Sequence, residues 1–196
     1  MSSIYNLNQE LNNLSISATS SISEFQKALS TAKSSDEINK AADSIASFIK
    51  DNGVATIGAS DLLYNLDINA VSKASPEVRE GSLRTYNYIL NTISKPCEPF
   101  IVSVLPNILE CLSDKSSNVR QAADEVINSL LKIISPNSVK PILPVLFSAL
   151  ELNKKWQTKE GALNIIASLP TIAHRQVQDN LKDILPVVSD AMWDSK

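Results

Sequence analysis

The side chains that most often carry catalysis are few in this sequence, and they stand apart from one another. His174 is the only histidine, so a histidine-dependent triad would have one candidate and no recognisable companion. Four carboxylates near the C-terminus have a spacing typical of a solvated helix face: Asp179, Asp183, Asp190 and Asp194. The sequence contains no GxxxxGK[ST], GxGxxG, HExxH or GxSxG motif. We therefore expect no catalytic residue, no cofactor and no enzymatic activity in this chain.

The two cysteines, Cys97 and Cys111, lie fourteen residues apart and form no CxxC motif. With a single histidine in the chain, this spacing favours neither a metal site nor a disulfide framework. We expect both to be small, reduced side chains in a cytoplasmic protein, and we predict no bound metal.

Basic residues offer the clearest binding chemistry. Five of them and one tryptophan cluster around two turns that are equivalent in the repeat described below: Lys115, Arg120, Lys154, Lys155, Trp156 and Lys159. In a stack of repeats, equivalent turns line up along one edge, where these residues would form a basic ridge beside an aromatic side chain. Such a ridge can contact RNA phosphates with salt-dependent affinity. The alternative is that these bases stabilise contacts between repeats and that Trp156 packs on the preceding hairpin.

The elements that carry these turns are nearly two consecutive copies of a helical hairpin between Glu98 and Leu169. Their apolar residues recur at spacings of three and four, which places them on one face of an α-helix. The first copy contains Ile101, Val104, Leu105, Ile108, Leu109 and Leu112, then Val119, Ala122, Ala123, Val126, Ile127, Leu130 and Ile134. The second contains Val139, Ile142, Leu143, Leu146, Phe147 and Leu150, then Ala162, Ile165, Ile166 and Leu169.

The register of the repetition is stronger evidence for a repeat protein than the apolar stripes alone. Leu-Pro pairs recur with prolines at Pro106, Pro144 and Pro186, at intervals of 38 and 42 residues. Because proline disrupts a helix interior, we expect the first helix of each hairpin to be kinked at the same phase. In the second helices a base precedes a small residue by three positions: Arg79 and Ser82, Arg120 and Ala123, Lys159 and Ala162. A period of about 40 residues with two helices predicts an all-α, right-handed α-solenoid of HEAT/armadillo-type hairpins.

Composition agrees with stacked helices. The 196 residues are 43% hydrophobic, 20% charged and contain only four glycines, which argues against a Gly-rich β protein or a nucleotide-binding α/β domain. The net charge of −3 means that any RNA contact must be local. The N-terminus has no apolar signal-like run, and no stretch approaches the length of a membrane span. We expect no membrane contact and a cytoplasmic location.

The chain divides into two parts. Residues 1–20 are rich in serine and asparagine, and we predict a disordered or weakly ordered segment there; residues 21–196 form the HEAT-repeat domain. We expect helices over residues 22–31, 36–50, 60–69, 76–93 and 177–193, with a capping box at Ser34 and Glu37, a stop at Gly53 and a serine cap at Ser75. The last helix ends mid-repeat. We therefore expect a C-terminal continuation of the solenoid, or else a partner or dimer that covers the exposed stripe.

Two segments carry a resemblance to a known family. They are Lys154-Lys155-Trp156-Gln157-Thr158-Lys159-Glu160-Gly161-Ala162-Leu163 and Leu185-Pro186-Val187-Val188-Ser189-Asp190-Ala191-Met192-Trp193-Asp194. They resemble the N-terminal HEAT domain of the fungal-type translation elongation factor three family of ABC-F ATPases, including its New1-like paralogue. The activator of the amino-acid-starvation kinase has a similar W-x-T-K repeat.

The resemblance implies a ribosome-binding role. Members of the family use ATP, in domains absent from this chain, to promote release of deacylated tRNA from the exit site. Their HEAT region contacts small-subunit rRNA and ribosomal proteins. For this chain the resemblance implies only the docking role, and the basic turn residues are the candidates for it. The alternatives are a protein-interaction scaffold related to the kinase activator and, less favoured by the motifs, a stand-alone enzyme.

Overall fold

The computed structural model describes residues 21–73 and 75–193, and the prediction for residues 1–20 lies outside them. Within these residues the chain forms eleven α-helices and no strand. They are α1 (21–31), α2 (Ser35–Asn52), α3 (Ala55–Ala59), α4 (Leu62–Val71), α5 (Pro76–Ile93), α6 (Glu98–Cys111), α7 (Ser117–Ile133), α8 (Val139–Ala149), α9 (Trp156–Ile172), α10 (His174–Asp179) and α11 (Leu181–Met192). Short 3₁₀ turns at Lys95–Cys97 and Pro136–Ser138 precede α6 and α8.

The helices stack as hairpins in two layers. The second helices form one layer, in which α5 packs between α2 and α7, and α7 contacts α9. The first helices form the other, in which α6 packs between α4 and α8, while Asn65 of α4 donates to Gln26 of α1 at 3.4 Å. Rings of Phe25 and Phe48 join α1 to α2 edge to face, with centroids 5.8 Å apart. The predicted all-α repeat architecture is confirmed.

The core lies between the layers and is built from the predicted stripes. Every stripe residue of α7 and α9 named above is buried, as are those of α6 and α8 except Leu112 and Phe147, which are partly buried. The small residues Ser82, Ala123 and Ala162, at one phase of the second helices, are fully buried. Small side chains at that phase let neighbouring hairpins approach closely.

Polar bonds also connect the second helices. Ser129 of α7 donates to Asn87 of α5 at 2.7 Å, and Arg84 of α5 forms an ion pair with Glu125 of α7. Each joins residues about 40 positions apart, so each links one hairpin to the next.

The helix boundaries follow several predicted signals. At the start of α2 the Glu37 N–H donates to Ser34 Oγ at 3.3 Å, as predicted. The Glu37 carboxylate in turn accepts a bond from the Lys33 N–H at 2.8 Å. A capping box uses the N–H of the following residue, Ser34. Gly53 ends the helix with a φ of 88°, a conformation that favours glycine.

One predicted cap is wrong. The helix α5 begins at Pro76 as expected, but Ser75 makes no side-chain bond to the free N–H groups of its first turn. Its hydroxyl bonds instead to the carboxylate of Glu77, and this hydrogen bond lowers the pKa of Glu77. The hydroxyl donates here to a carboxylate, and this charge-assisted bond is stronger than a bond between neutral groups and orients the serine side chain.

The predicted helix over residues 177–193 is divided into α10 and α11. The break falls at Asn180, whose side-chain amide donates to the Gln176 carbonyl at 2.7 Å. Asparagine side chains compete with the helical backbone for such carbonyls, which explains the break inside an apolar periodic stretch. The helix predicted over residues 60–69 is α4, and the short helix α3, which precedes it, was not predicted.

The three Leu-Pro prolines lie inside α6, α8 and α11 at the predicted phase. All three are exposed, so the carbonyl that each leaves without a helical partner faces the solvent side of its helix. Pro170, in the last turn of α9, is a fourth proline inside a helix that the repeat did not predict.

In the part of the chain that the structure describes, no single helix is long and apolar enough to cross a membrane. Helix α7 and residues 136–149 reach that length and apolar composition only when taken together, and a 120° bend separates them. The last helix leaves Leu185, Met192 and Trp193 exposed. The predicted continuation of the solenoid stays a prediction.

Candidate nucleic-acid interface

The turns within the hairpins each carry an exposed lysine. Lys33, Lys73, Lys115 and Lys155 lie in the turns that join the first helix to the second helix of four successive hairpins, at intervals of 40, 42 and 40 residues. We call these four residues the lysine row. Sequence reasoning found Lys115 and Lys155 but missed Lys33 and Lys73. The 40-residue period, extended toward the N-terminus, would have identified both.

Three members of the row surround one cleft of about 460 Å³. Lys73, Lys115 and Lys155 line it, and the carboxylates of Glu110 and Asp114 lie in the same wall. The row is therefore continuous across three hairpins. A negatively charged group that entered the cleft would meet lysines from three turns at once.

The base of the cleft is held by one ion pair between hairpins. Arg79 of α5 binds Asp114 of the α6–α7 turn through two bonds, Nε to Oδ2 at 2.7 Å and Nη2 to Oδ1 at 3.0 Å. Burial alone would raise the pKa of Asp114, but the bonds from Arg79 and from the Ser116 N–H, with the charges of Arg79 and Lys155, hold it below its usual value. The bond to Asp114 also raises the pKa of Arg79, so the pair stays ionised.

Arg120, predicted as a ridge residue, is used within its own turn. Its guanidinium donates to the Asp114 carbonyl at 2.7 Å and to the Lys115 carbonyl at 3.0 Å, and the side chain is half-buried. These bonds fix the backbone that presents Lys115. Arg120 is thus placed as a support for the row.

Two lysines of the next turn reach back to the preceding hairpin. The Lys154 amine forms an ion pair with Glu110 of α6, and the Lys155 amine donates to the Ser113 carbonyl at 3.1 Å. The alternative in which these bases stabilise contacts between repeats is therefore correct for their amines. Lys155 nevertheless remains exposed, whereas Lys154 is half-buried.

Lys159 does not lie on the predicted ridge. It is only 7% exposed in the first turn of α9, next to the fully buried Thr158. At the phase that places Arg79 and Arg120 beside the turns, Lys159 is buried, so the prediction that it lies on a solvent-facing ridge was wrong.

Trp156 begins α9 and is 57% exposed. Packing on the preceding hairpin therefore covers less than half of its surface. It follows Lys155 directly, so an exposed indole and an exposed member of the lysine row share one turn.

The other reactive groups are placed away from this edge or are unreactive. Cys97 and Cys111 are buried, and burial raises the pKa of Cys97 to about 11 and that of Cys111 to about 12. A thiol with such a pKa carries little thiolate near neutral pH. His174 is exposed at the start of α10, and no cluster of three metal-ligating side chains occurs in residues 21–73 and 75–193.

The sequence matches one family model over residues 38–196, the EF3 N-terminal HEAT repeat. Among similar proteins, an elongation factor 3 of Gonapodya prolifera is 34% identical over 176 residues, which are 89% of this chain and 16% of that protein. An eIF-2-alpha kinase activator GCN1 of Dictyostelium discoideum and a human stalled ribosome sensor GCN1 are each 30% identical over 79% of this chain and 6% of theirs. The chain thus spans about a sixth or less of these relatives.

Among solved structures, a designed armadillo repeat protein in complex with a (KR)4 peptide superposes with a TM-score of 0.51. The match covers 97% of this chain and 87% of that one at 18% identity. At that identity the likeness shows the fold alone, and it confirms the helical-repeat solenoid.

Proposed function

Because this chain belongs to the family of elongation factor 3 N-terminal HEAT repeats, we propose that it is a ribosome-docking module of a translation elongation factor. In this proposal the chain binds small-subunit rRNA and neighbouring ribosomal proteins in the cytoplasm. ATP hydrolysis and the release of exit-site tRNA belong to other domains of the longer protein. The assignment to a New1-like member of the family stays a prediction.

The observation that carries the proposal is the lysine row. RNA presents regularly repeated phosphates, and a row of lysines at the period of the solenoid provides regularly repeated cations to meet them. The chain as a whole has a net charge of −3, so nonspecific attraction by the whole surface cannot supply this binding. Local attraction at the lysine row can supply the binding to RNA.

The choice of variants follows from the contacts. Lys154 pairs with Glu110, Arg120 holds its own turn and Lys159 is buried, so changing any of them would disturb the fold. Lys73, Lys115 and Lys155 are exposed and are changed to glutamate together. Because the Lys155 amine also bonds to the Ser113 carbonyl, a second variant changes Lys73 and Lys115 alone and leaves that bond in place. A matched control changes Lys40, Lys132 and Lys140, which are also exposed but lie on helices away from the row.

The experiment is cosedimentation of the chain with ribosomes across a salt series. We expect the Lys73, Lys115 and Lys155 glutamate variant to lose most of its binding at all salt concentrations, while the control with the same change in net charge binds as the unchanged chain does. Circular dichroism verifies that both variants are folded. Equal loss in the two variants would overturn the role of the row, since net charge alone would then explain binding.

A second candidate is a protein-interaction scaffold. The similarity to GCN1 proteins, over 79% of the chain, favours it because one of these relatives is named as a kinase activator. A scaffold predicts capture of a protein partner that survives RNase treatment and is insensitive to changes in the lysine row. RNase-sensitive binding that follows the row favours docking on RNA.

We also propose that this chain contributes binding and no chemistry of its own. The test is the ATPase rate of the purified chain, with and without ribosomes. A rate above background that copurifies with the chain would contradict this part of the proposal and leave the docking role to be judged by cosedimentation.

A further inference from the structure

Trp156 is an unusual residue to leave in solvent. An indole is among the largest apolar side chains, and most of its surface is buried in a typical fold. Here it is 57% exposed although Thr158 and Lys159, two and three positions further along the same helical turn, are almost fully buried. The first turn of α9 is therefore anchored on the core while the indole is left available.

The residues before Trp156 are anchored as well. Lys154 pairs with the carboxylate of Glu110 and Lys155 donates to the backbone carbonyl of Ser113, both in the preceding hairpin. Trp156 thus lies between a segment fixed to the preceding hairpin and a turn fixed to the core. An aromatic side chain on such a fixed backbone loses little conformational freedom when a ligand packs on it.

From this arrangement we propose that Trp156 stacks on an unpaired RNA base while the lysine row holds the phosphates of the same strand. The inference rests on the proposed ribosome-docking function and names the kind of RNA that this site takes. Exposed bases stack on aromatic side chains in many single-strand binding proteins, and lysines beside them follow the backbone.

The neighbouring charges decide between possible ligands. An arginine side chain can also stack on an indole, but it would approach beside Lys155, which carries the same sign of charge. The nearby carboxylates Glu110 and Asp114 are already paired with Lys154 and Arg79. A base-paired RNA helix offers phosphates to the row but keeps its base faces covered, so it would leave Trp156 unused. A single strand or loop supplies both groups.

The test uses the intrinsic fluorescence of Trp156. The chain has two tryptophans, and Trp193→Phe leaves Trp156 as the single emitter. Addition of a twelve-nucleotide single-stranded RNA should quench its emission, whereas an RNA duplex of the same length should bind through the lysines with little quenching. Equal quenching by the two RNAs would overturn the proposal.

A second variant separates stacking from charge. Trp156→Leu keeps an apolar side chain at the start of α9 but removes the aromatic face. It should weaken binding of the single strand by about tenfold or more, as expected for loss of one base stack, and leave both the duplex affinity and the salt dependence unchanged. Unchanged affinity for the single strand would exclude stacking.

The outcomes distinguish this inference from the function on which it rests. If the lysine variant loses ribosome binding but Trp156→Leu has no effect on RNA affinity, docking stands and stacking fails. If the unchanged chain binds neither ribosomes nor RNA, both fail. If an acidic peptide quenches Trp156 and the single strand does not, the site takes protein and the RNA inference is wrong.

Discussion

Asp114 makes most of the bonds that hold the turn between α6 and α7 in place. Its carboxylate accepts two bonds from Arg79 of the preceding hairpin and one from the Ser116 N–H at 2.8 Å, while its carbonyl accepts from Arg120. Lys115, the next residue, is thereby held at the surface. Lys115, the proposed binding residue, and Asp114, which supports it, are adjacent in sequence but have separate roles.

We predict that Asp114→Asn destabilises the chain by about 2 kcal/mol at neutral pH, because it removes charge-assisted bonds from a partly buried pair. Urea unfolding followed by circular dichroism measures this. Asp43→Asn, a change at an exposed residue of α2, is the matched control and should change stability by less than about 0.5 kcal/mol.

The pH dependence has a definite sign. Because the pKa of Asp114 is held below its unfolded value of about 3.9, its contribution is complete above that pH and is lost as the pH falls through the folded pKa. The stability difference between the unchanged chain and Asp114→Asn should therefore shrink below about pH 4. A difference that does not begin to shrink as the pH falls below about 4 would mean that the carboxylate charge is not what stabilises the turn.

The residue scale is also where sequence reasoning met its limit. The repeat correctly aligned Arg79, Arg120 and Lys159, yet one pairs between hairpins, one holds its own turn and one is buried. Periodicity fixes the phase of a side chain around a helix, but its depth depends on how closely the next hairpin approaches. That distance is a tertiary quantity and is absent from a single-sequence pattern.

At the scale of elements, the close approach of two helices depends on where glycines, which have no side chain, are placed. A Cβ atom at Gly161 of α9 would lie 2.1 Å from Leu112 Cδ1, closer than packed atoms can come. A Cβ atom at Gly58 of α3 would be 3.5 Å from Phe100, an ordinary contact. The first glycine therefore allows α9 to pack beside the end of α6, while the second is a tolerated glycine in a helix.

These two glycines should respond oppositely to alanine. Gly58→Ala should stabilise the chain by about 0.5–1 kcal/mol, since alanine is the better helix former. Gly161→Ala should destabilise it by about 1 kcal/mol, because overpacking outweighs the same gain in propensity. Urea unfolding midpoints of the two variants give the comparison.

The double variant Gly161→Ala with Leu112→Ala supplies the control. Removing the leucine methyls removes the clash, so the alanine at 161 should cost less in that background than in the unchanged chain. Should the cost be the same in both, Leu112 is not the side chain that limits the approach of α9.

Most elements were predictable from the sequence because apolar spacing is a local property. The stripes from Ile101 to Leu169 and the start of α5 at Pro76 follow from it. The break at Asn180 does not, because it depends on a competition between side-chain and backbone bonds inside a pattern that remains periodic. The short helix α3 was not predicted. The proposed interface was predicted in part, since the repeat in the second helices was followed back to Arg79 but the lysines of the turns were not followed back to Lys33 and Lys73.

At the scale of the whole molecule, stacking turns a period in sequence into a distance in space. Neighbouring helices in such a stack lie about 8–10 Å apart, so residues separated by 40 positions become neighbours along one edge. Four lysines that look scattered in the sequence thus form a single charged feature on a chain whose net charge is −3. In the proposed function, attraction to RNA would be concentrated at this row.

This arrangement predicts how binding responds to salt. Each lysine of the row, changed singly to glutamine, should reduce the slope of log affinity for single-stranded RNA against log salt concentration by about 0.7, the value for one released counterion contact. Fluorescence or filter-binding titrations at several salt concentrations measure the slope. Lys33→Gln is the most informative variant, because Lys33 lies in the first described turn, outside the cleft that the other three share. A reduction equal to the others would mean that the RNA strand follows the edge over four hairpins, whereas no reduction would confine it to the cleft of Lys73, Lys115 and Lys155.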